Sequence, residues 1–363
     1  MTVLHADVCI VGAGPGGALL AYLLAQANIS TLLLERHQHI NKEFRGEHLN
    51  EEGVKVLHQA GLYKKLEDIG LLHMERVEFV EKGKVFKTIL PDSNSSHTGI
   101  HVPQNHLLKL LVKEAKQFSS FRLQMNSRVV DVQKDVHSNY NGVTAIINNE
   151  KTTIKSKIIV AADGRFSIIR NKADFPVEMI RHGYDLLWAK VPAPSNWEPT
   201  IKMALVKDRQ VSLFTQYGGY IQIGWNIEEG TFPQVKKESF QVFIKGLVEA
   251  FPELEQTVTE HIRSWQDFVL LKVQSSKSSL WVKNNVVLLG DAAHTMSPTG
   301  AFGLNSSLKD AEVLAQVIKK VLLKNQPPTF LKDYEKRRKE TVDAIQLEQL
   351  KRETSFKDHF DIK

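Results

Sequence analysis

The segment DVCIVGAGPGGALLAYLLAQANISTLLLE, residues 7–35, constrains the fold more than any other stretch. Residues 7–11 are a short apolar run that ends in glycines, ALLAYLLAQAN keeps a helical apolar spacing, and STLLLE is a second apolar run. That order is strand, tight turn, helix, strand, and so compact a unit makes the two strands parallel with the helix on one face of their sheet. Gly12, Gly14 and Gly17 form GxGxxG in the turn, with Pro15 and Gly16 between them. Glycines here permit a tight turn and a close approach, so a pyrophosphate can rest on unpaired N–H groups at the positive end of the helix. Glu35 closes the second strand 18 residues after Gly17, where a carboxylate accepts hydrogen bonds from ribose hydroxyls, and Arg36 follows it. The chain is read as α/β, with a Rossmann-like dinucleotide-binding domain. NAD and FAD share adenosine and pyrophosphate, so this unit does not choose between them.

A length of 363 residues suits two intimately joined domains. With 42% hydrophobic and 24% charged residues, the composition excludes a disordered or low-complexity chain. A single cysteine, Cys9, excludes a disulfide framework and a cysteine-based metal cluster, and no metal is expected. The opening residues lack a basic n-region and reach glycine too early for a signal peptide, and no apolar run is long enough for a bilayer, so a reducing cytoplasm is the expected address. The net charge of +6 favours a phosphorylated cofactor, an anionic substrate or weak peripheral contact with an acidic membrane surface. The densest basic stretch, KDYEKRRK at 332–339, is interleaved with acids and reads as a solvated helix face, not a nucleic-acid surface.

Two later segments, IKSKIIVAADG (154–164) and NNVVLLGDAA (284–293), are strand-like and end in an Asp beside a Gly. Between them, residues 184–228 alternate in short runs separated by turn residues, which predicts an inserted antiparallel sheet. Helical spacing returns near 231–254, and helices are expected over 305–324 and 328–355. This divides the chain into dinucleotide-binding parts at 1–75, 101–180 and 271–325, parts of a second, inserted-sheet domain at 76–100 and 181–270, and a C-terminal helical segment at 326–363.

The third motif, VVLLGDAAHTMSPTGAFGLNSS, favours a flavin. Its strand ends at Gly290 and Asp291, crosses a loop of proline and glycine, and enters a helix with its cap expected among Asn305, Ser306 and Ser307. Asp291 can accept from a polyol hydroxyl, and the helix end offers donors to an electron-rich ring carbonyl. Nicotinamide has no ribityl chain to use such an Asp.

Together, GAGPGG with Glu35, VAADGRFSIIR and GDAAHTMSPTGAFGLN resemble the FAD-dependent aromatic hydroxylases, the group A flavoprotein monooxygenases typified by p-hydroxybenzoate hydroxylase and the ubiquinone-biosynthesis hydroxylases. The resemblance implies that the first motif holds the ADP half of FAD and the third holds the ribityl chain and flavin ring. It implies that Asp163, Gly164, Ser167 and Arg170 serve FAD and the visiting NAD(P)H. It puts Arg45 near the flavin and the nicotinamide or substrate entrance, and Gln104 on the ribityl hydroxyls. Pro298, Gly300, Ala301, Gly303, Leu304 and Asn305 would line the flavin, with backbone donors near Gly300, Ala301 and Gly303; Arg45, Pro298 and Gly300 stand nearest the chemistry. Most relatives have Gly at the position of Ala301, and Phe302 replaces a usual polar residue. His294 belongs to a structural turn and is not expected to be a general base. The reaction implied is reduction of FAD by NAD(P)H, capture of O₂ as a C4a-hydroperoxyflavin and oxygen transfer to an electron-rich small molecule.

Substrate contacts are expected from the middle sheet, at Trp188, Met203, Phe214, Gln216, Tyr217, Tyr220 and Trp225. Tyr217 stands where p-hydroxybenzoate hydroxylase uses an arginine to grip a carboxylate, which disfavours an acceptor anchored that way. A larger, flatter acceptor such as a polycyclic phenol, quinolone or prenylated quinone precursor follows. Two other activities share the fold: a prenyl reductase of the geranylgeranyl reductase type, and a non-redox lipid carrier, against which the intact GDAAH segment argues. A flavin halogenase would carry Trp-x-Trp-x-Ile-Pro, whereas residues 224–227 read GWNI.

Overall fold

Strand Thr2–Val11 lies between Thr31–Leu34 and Glu150–Ala161 and is parallel to both. The computed structural model describes residues 2–40, 48–93, 95–206 and 208–355. Val286–Leu288 and Phe121–Gln124 extend the same parallel array on its two sides. Val8, Cys9, Ile10 and Val11 are buried, as a strand covered on both faces must be, which explains its unbroken apolar run. The helix Pro15–Ala25 is buried nearly all round because it packs against the sheet and the helices Phe302–Leu323 and Gln104–Ala115.

An antiparallel extension, Ser127–Lys134 with Tyr140–Ile147, pairs onto Glu150–Ala161. Its hairpin turns on Asn148 and Asn149, both left-handed (φ 49° and 70°), an Asn-Asn signal that the sequence analysis does not use.

The middle sheet has seven strands, in the order Val269–Ser278, Val177–Pro192, Tyr220–Glu228, Arg209–Gln216, Thr200–Val206, Arg76–Glu81 and Lys84–Ile89. Only the pairing of Arg76–Glu81 with Thr200–Val206 is parallel. Odd-numbered positions such as Leu187, Leu213, Ile223 and Trp225 pack under the helices Phe240–Ala250 and Glu255–His261. Even-numbered positions of the same strands form the opposite face.

The long helix begins at Phe302, not at the expected cap among Asn305, Ser306 and Ser307. Gly300 and Ala301 are left-handed (φ 73° and 54°) and swing the chain into the helix without a side-chain cap. Ala301 holds this conformation at a cost of roughly 1–2 kcal/mol that glycine would not bear.

The last helix, Lys332–Thr354, corrects the reading of its first turns as a wholly solvated face. Tyr334, Arg338, Val342, Gln346 and Gln349 recur at helical spacing and are buried. Arg338 Nε donates to Asp310 Oδ1 at 2.7 Å, and His294 Nε2 lies 2.6 Å from Asp310 Oδ2. Burial opposes ionisation of Asp310, but His294 and Arg338 outweigh it and hold its carboxyl below the ordinary range. His294 is therefore engaged in this clamp between the third motif and the two long helices. Asp310→Ala strands the Arg338 guanidinium, and about 3–5 kcal/mol should disappear from the unfolding free energy in a denaturant titration. Substitution of the exposed Lys64 should leave the midpoint unchanged.

Candidate active site

The three distant motifs converge through backbone contacts too close for side chains. Gly12 leaves its strand with φ 104°, and a Cβ there would lie 2.3 Å from the carbonyl oxygen of Ala162, next to Asp163. Gly16 and Gly290 both press on Ser307, whose Oγ would lie 2.2 and 2.5 Å from a Cβ at those positions. Arg170, buried, donates from Nη1 to the Ala292 carbonyl at 3.0 Å and from Nη2 to the Arg165 carbonyl at 2.8 Å. Strand ends that are far apart in the chain are thus brought together at the carboxyl edge of a parallel sheet, where such folds bind nucleotides.

Gly16 and Gly17 are packing positions; a Cβ at Gly17 would meet the Gly12 carbonyl at 2.2 Å. Gly14 is different, because a Cβ there meets nothing within 4 Å and the adjoining helix has no side-chain cap. The unpaired N–H groups of that first turn, with Pro15 at its start, form an open anion-binding edge. Glu35 Oε2 accepts from Ala13 N–H at 2.9 Å and Oε1 from His37 N–H at 3.1 Å, so this carboxylate steadies the glycine turn from the neighbouring strand. Arg36 is exposed beside it.

Asp163 Oδ2 accepts from the N–H groups of Ile168 and Ile169 at 2.7 and 3.3 Å, and Ser167 Oγ accepts from Arg170 N–H at 3.0 Å. Burial raises the Asp163 carboxyl pKa in spite of these bonds. Asp163 Oδ1 and Gln104 Oε1 are buried without a hydrogen-bond partner among the described residues. Such acceptors suit the hydroxyls of a bound ribose or ribityl chain, and with the open edge at Gly14 they fit FAD. Gly164 leaves open space around its α-carbon.

The third motif presents residues 298–304 as a partly exposed stretch between buried neighbours. The Ala301 N–H is engaged by the Pro298 carbonyl at 3.0 Å, so it is not the donor the sequence analysis expected. The first turn of the uncapped helix, with Gly303 and Leu304, retains unpaired N–H groups instead. Asn305 is a clamp: its Oδ1 accepts from Asn50 N–H at 3.0 Å, and its Nδ2 donates to the carbonyls of His48 and Ala301 at 3.1 and 2.8 Å. Arg45 lies outside the described residues. Asp291 sits at the end of its strand, half-buried beside Gly290.

Trp188, Phe214, Gln216 and Tyr220 share the even face of the middle sheet, as do Met203, Gln210, Ser212, Gln222 and Asn226, because their strand partners are in direct register. Tyr184, on the same face, reaches Thr299 Oγ1 with its hydroxyl at 2.9 Å, so this face turns toward the third motif. Trp188 and Phe214 lie with ring centroids 6.0 Å apart, and Trp188 covers Gly224, where a Cβ would come within 2.8 Å of its ring. Gln210 donates to Ser212 Oγ at 3.0 Å, and Gln216 donates to Gln222, so amides flank the aromatic pair. Trp225 is a correction: it is buried on the other face, stacked on Phe243 at 3.6 Å between centroids. Five residues separate it from Tyr220, an odd spacing that in a strand puts the two on opposite faces. Tyr217 lies in the turn, its ring against Gly70 and His106 and its N–H donating to His101 Nδ1 at 3.2 Å. No helix of the described residues is long and apolar enough to cross a membrane.

Residues 5–348 match the family model described as the FAD binding domain. The 6-methylpretetramide 4-monooxygenase of Streptomyces rimosus is 27% identical over 313 residues, covering 85% of this chain and 73% of that enzyme. The FAD-dependent monooxygenase atnJ of an Arthrinium species is 24% identical over 368 residues, covering 93% and 82% of the two chains. Among solved structures, pqsL from Pseudomonas aeruginosa, described as a probable FAD-dependent monooxygenase, superposes with a TM-score of 0.85 at 20% identity, covering 98% of this chain and 97% of the other. The glycine turn, the buried acceptors and the uncapped helix agree with these matches: the chain belongs to the FAD binding domain family and is an FAD-dependent monooxygenase.

Proposed function

We propose that the chain hydroxylates a flat, electron-rich aromatic molecule without a carboxylate anchor, using NAD(P)H and O₂. The observation that carries this reading is the Trp188–Phe214 platform, on the sheet face joined through Tyr184 to Thr299. Stacked or tilted rings favour a planar guest, and the flanking amides of Gln210, Gln216 and Gln222 suit neutral hydroxyl or carbonyl groups better than a carboxylate. Tyr217, in place of a cation, supports the same choice.

Bound FAD, once reduced by NAD(P)H, activates O₂ so that one oxygen atom enters the substrate and the other leaves as water. The chain's own work is to bind and orient. The N–H edge beside Gly14 and Pro15 takes the pyrophosphate, Glu35 the adenosine ribose, and Gln104 and Asp291 the ribityl hydroxyls. Pro298, Gly300 and the first-turn N–H groups near Gly303 line the flavin ring, where the helix dipole favours added negative charge. Asp163 and Gly164 would serve both FAD and the visiting nicotinamide cofactor. The segmentation into FAD-binding and substrate parts belongs to this reading, and so does a reducing cytoplasm. Burial pushes the thiol of the single cysteine, Cys9, up to about 12, consistent with an inert packing role.

The purified protein, followed by NAD(P)H oxidation and peroxide release, should respond to neutral polycyclic phenols or quinolones with faster oxidation and a lower peroxide yield. Stimulation by simple benzoates alone would overturn the substrate class. Gly224→Ala forces Trp188 off its strand, and KM for such a phenol should rise about tenfold, with FAD content retained. Gly14→Ala has room for its methyl, so thermal stability should hold while FAD affinity, read by fluorescence titration, falls about tenfold or more because the methyl occupies the anion edge.

A further inference from the structure

The last helix reaches the third motif through a buried carboxylate that none of the cofactor or substrate motifs predicts. Glu353 is the penultimate residue of that helix, with its side chain 9% exposed. Its Oε1 accepts from Ser297 Oγ at 2.6 Å and Thr299 Oγ1 at 2.7 Å, and the Tyr184 hydroxyl lies 3.2 Å from the same oxygen. Its Oε2 lies 2.6 Å from Nδ1 of His182, and the other ring nitrogen of His182 contacts Ser275 Oγ. Gln349, one turn earlier, donates to the carbonyls of Ser297 and Thr299 at 2.9 and 2.6 Å. Gln346 donates to the carbonyls of Ser276 and Thr295 at 3.1 and 3.0 Å. Residues 346, 349 and 353 therefore form one helical stripe that grips a loop running from 295 to 299 and, through Tyr184 and His182, the strand Val177–Pro192 of the middle sheet.

The line Ser275, His182, Glu353 has the order of a nucleophile relay, but Ser275 is 1% exposed and reaches no crevice. Its role is to hold the imidazole. An ionised carboxylate accepts only, so it forces the hydroxyls of Ser297, Thr299 and Tyr184 to point at one place. Burial opposes that ionisation, but hydrogen bonds from His182, Ser297 and Thr299 keep the Glu353 carboxyl below the usual range. Burial and the nearby Glu353 charge also push the Tyr184 hydroxyl well above its usual value, so it remains a donor.

We propose that Glu353 is a positioning residue that fixes Pro298 and Gly300 in the shape that receives the flavin ring and locks the substrate sheet to that shape. Pro298 lies between two residues whose hydroxyls Glu353 binds, and Gly300 follows directly. The left-handed pair Gly300 and Ala301 has no side-chain cap; Asn305 holds the Ala301 carbonyl from beyond it, and the segment before it, through the Pro298 carbonyl, holds the Ala301 N–H. The proposal rests on residues 298–304 facing the flavin.

The test uses holoenzyme carrying Glu353→Ala or the near-isosteric Glu353→Gln, which keeps the volume should the alanine variant fail to fold. Backbone hydrogen–deuterium exchange over residues 295–303 should quicken about tenfold in Glu353→Ala, which leaves the buried hydroxyls without their shared acceptor, and by less in Glu353→Gln, whose amide oxygen still accepts but without the charge that strengthens those bonds. Peptides over residues 12–25 should exchange as in the parent. The visible absorption bands of bound FAD should shift, and the fraction of NAD(P)H lost to peroxide with an accepted phenol should rise. Glu348→Gln, exposed on the same helix, should do neither. Unchanged exchange at 295–303 in both variants overturns the role of Glu353. A loosened loop with an unaltered flavin spectrum overturns the proposal at its other step, the placement of this loop against the ring.

Discussion

The structure depends on the close approach of the helix Pro15–Ala25 to the long helix Phe302–Leu323. Gly16 and Gly290 meet the same serine, Ser307, at distances where neither tolerates a side chain. That single contact brings together chain ends nearly 300 residues apart in sequence and sets two uncapped helix N-termini in one crevice. Gly12 makes the equivalent approach to Ala162, so a third strand end joins them. Close backbone packing of this kind is worth more to the site than any one polar contact. It leaves unpaired N–H groups facing a ligand that carries its own acceptors, which is how an α/β sheet recognises a nucleotide without many charged side chains.

Much of this was legible in the residue order because glycine has few other reasons to recur at fixed spacing after an apolar strand. The turn at Gly12, the Asp-Gly ends of two further strands and the switch to alternating residues near 184 all reflect local rules of strand and turn. What escaped was set by tertiary partners. The expected cap among Asn305, Ser306 and Ser307 is the natural local choice, yet Asn305 is occupied by Asn50, His48 and Ala301, and Ser307 by glycines. Residue type alone makes Trp225 resemble Trp188, but its parity relative to Tyr220 assigns it to the helix-covered face, where it stacks on Phe243. Arg338 is indistinguishable in sequence from its solvated charged neighbours, because the buried Asp310 that turns it inward lies 28 residues earlier.

The last helix is the clearest case of function hidden from local reading. Its composition is mostly polar and its apolar stripe is thin, so the spacing of its apolar residues alone does not mark the buried face. Beside Tyr334 and Val342, its inward residues are an Arg, two Gln and a Glu, each hydrogen-bonded to a partner supplied by another segment. A polar interface of this kind costs more to disrupt than an apolar one of the same size, because every partner left behind is a buried unsatisfied group. It also defines direction. An apolar stripe would tolerate a shift of register along the loop, whereas paired amides and a carboxylate accept only one arrangement of the 295–299 carbonyls and hydroxyls. The junction formed by glycine packing is thereby held in a definite arrangement on the side where the middle sheet meets it. Tyr184 sits on both sides of that junction: its backbone belongs to the sheet that carries Trp188, and its hydroxyl belongs to the loop that carries Pro298. A displacement of either surface is felt by the other through one short chain of hydrogen bonds.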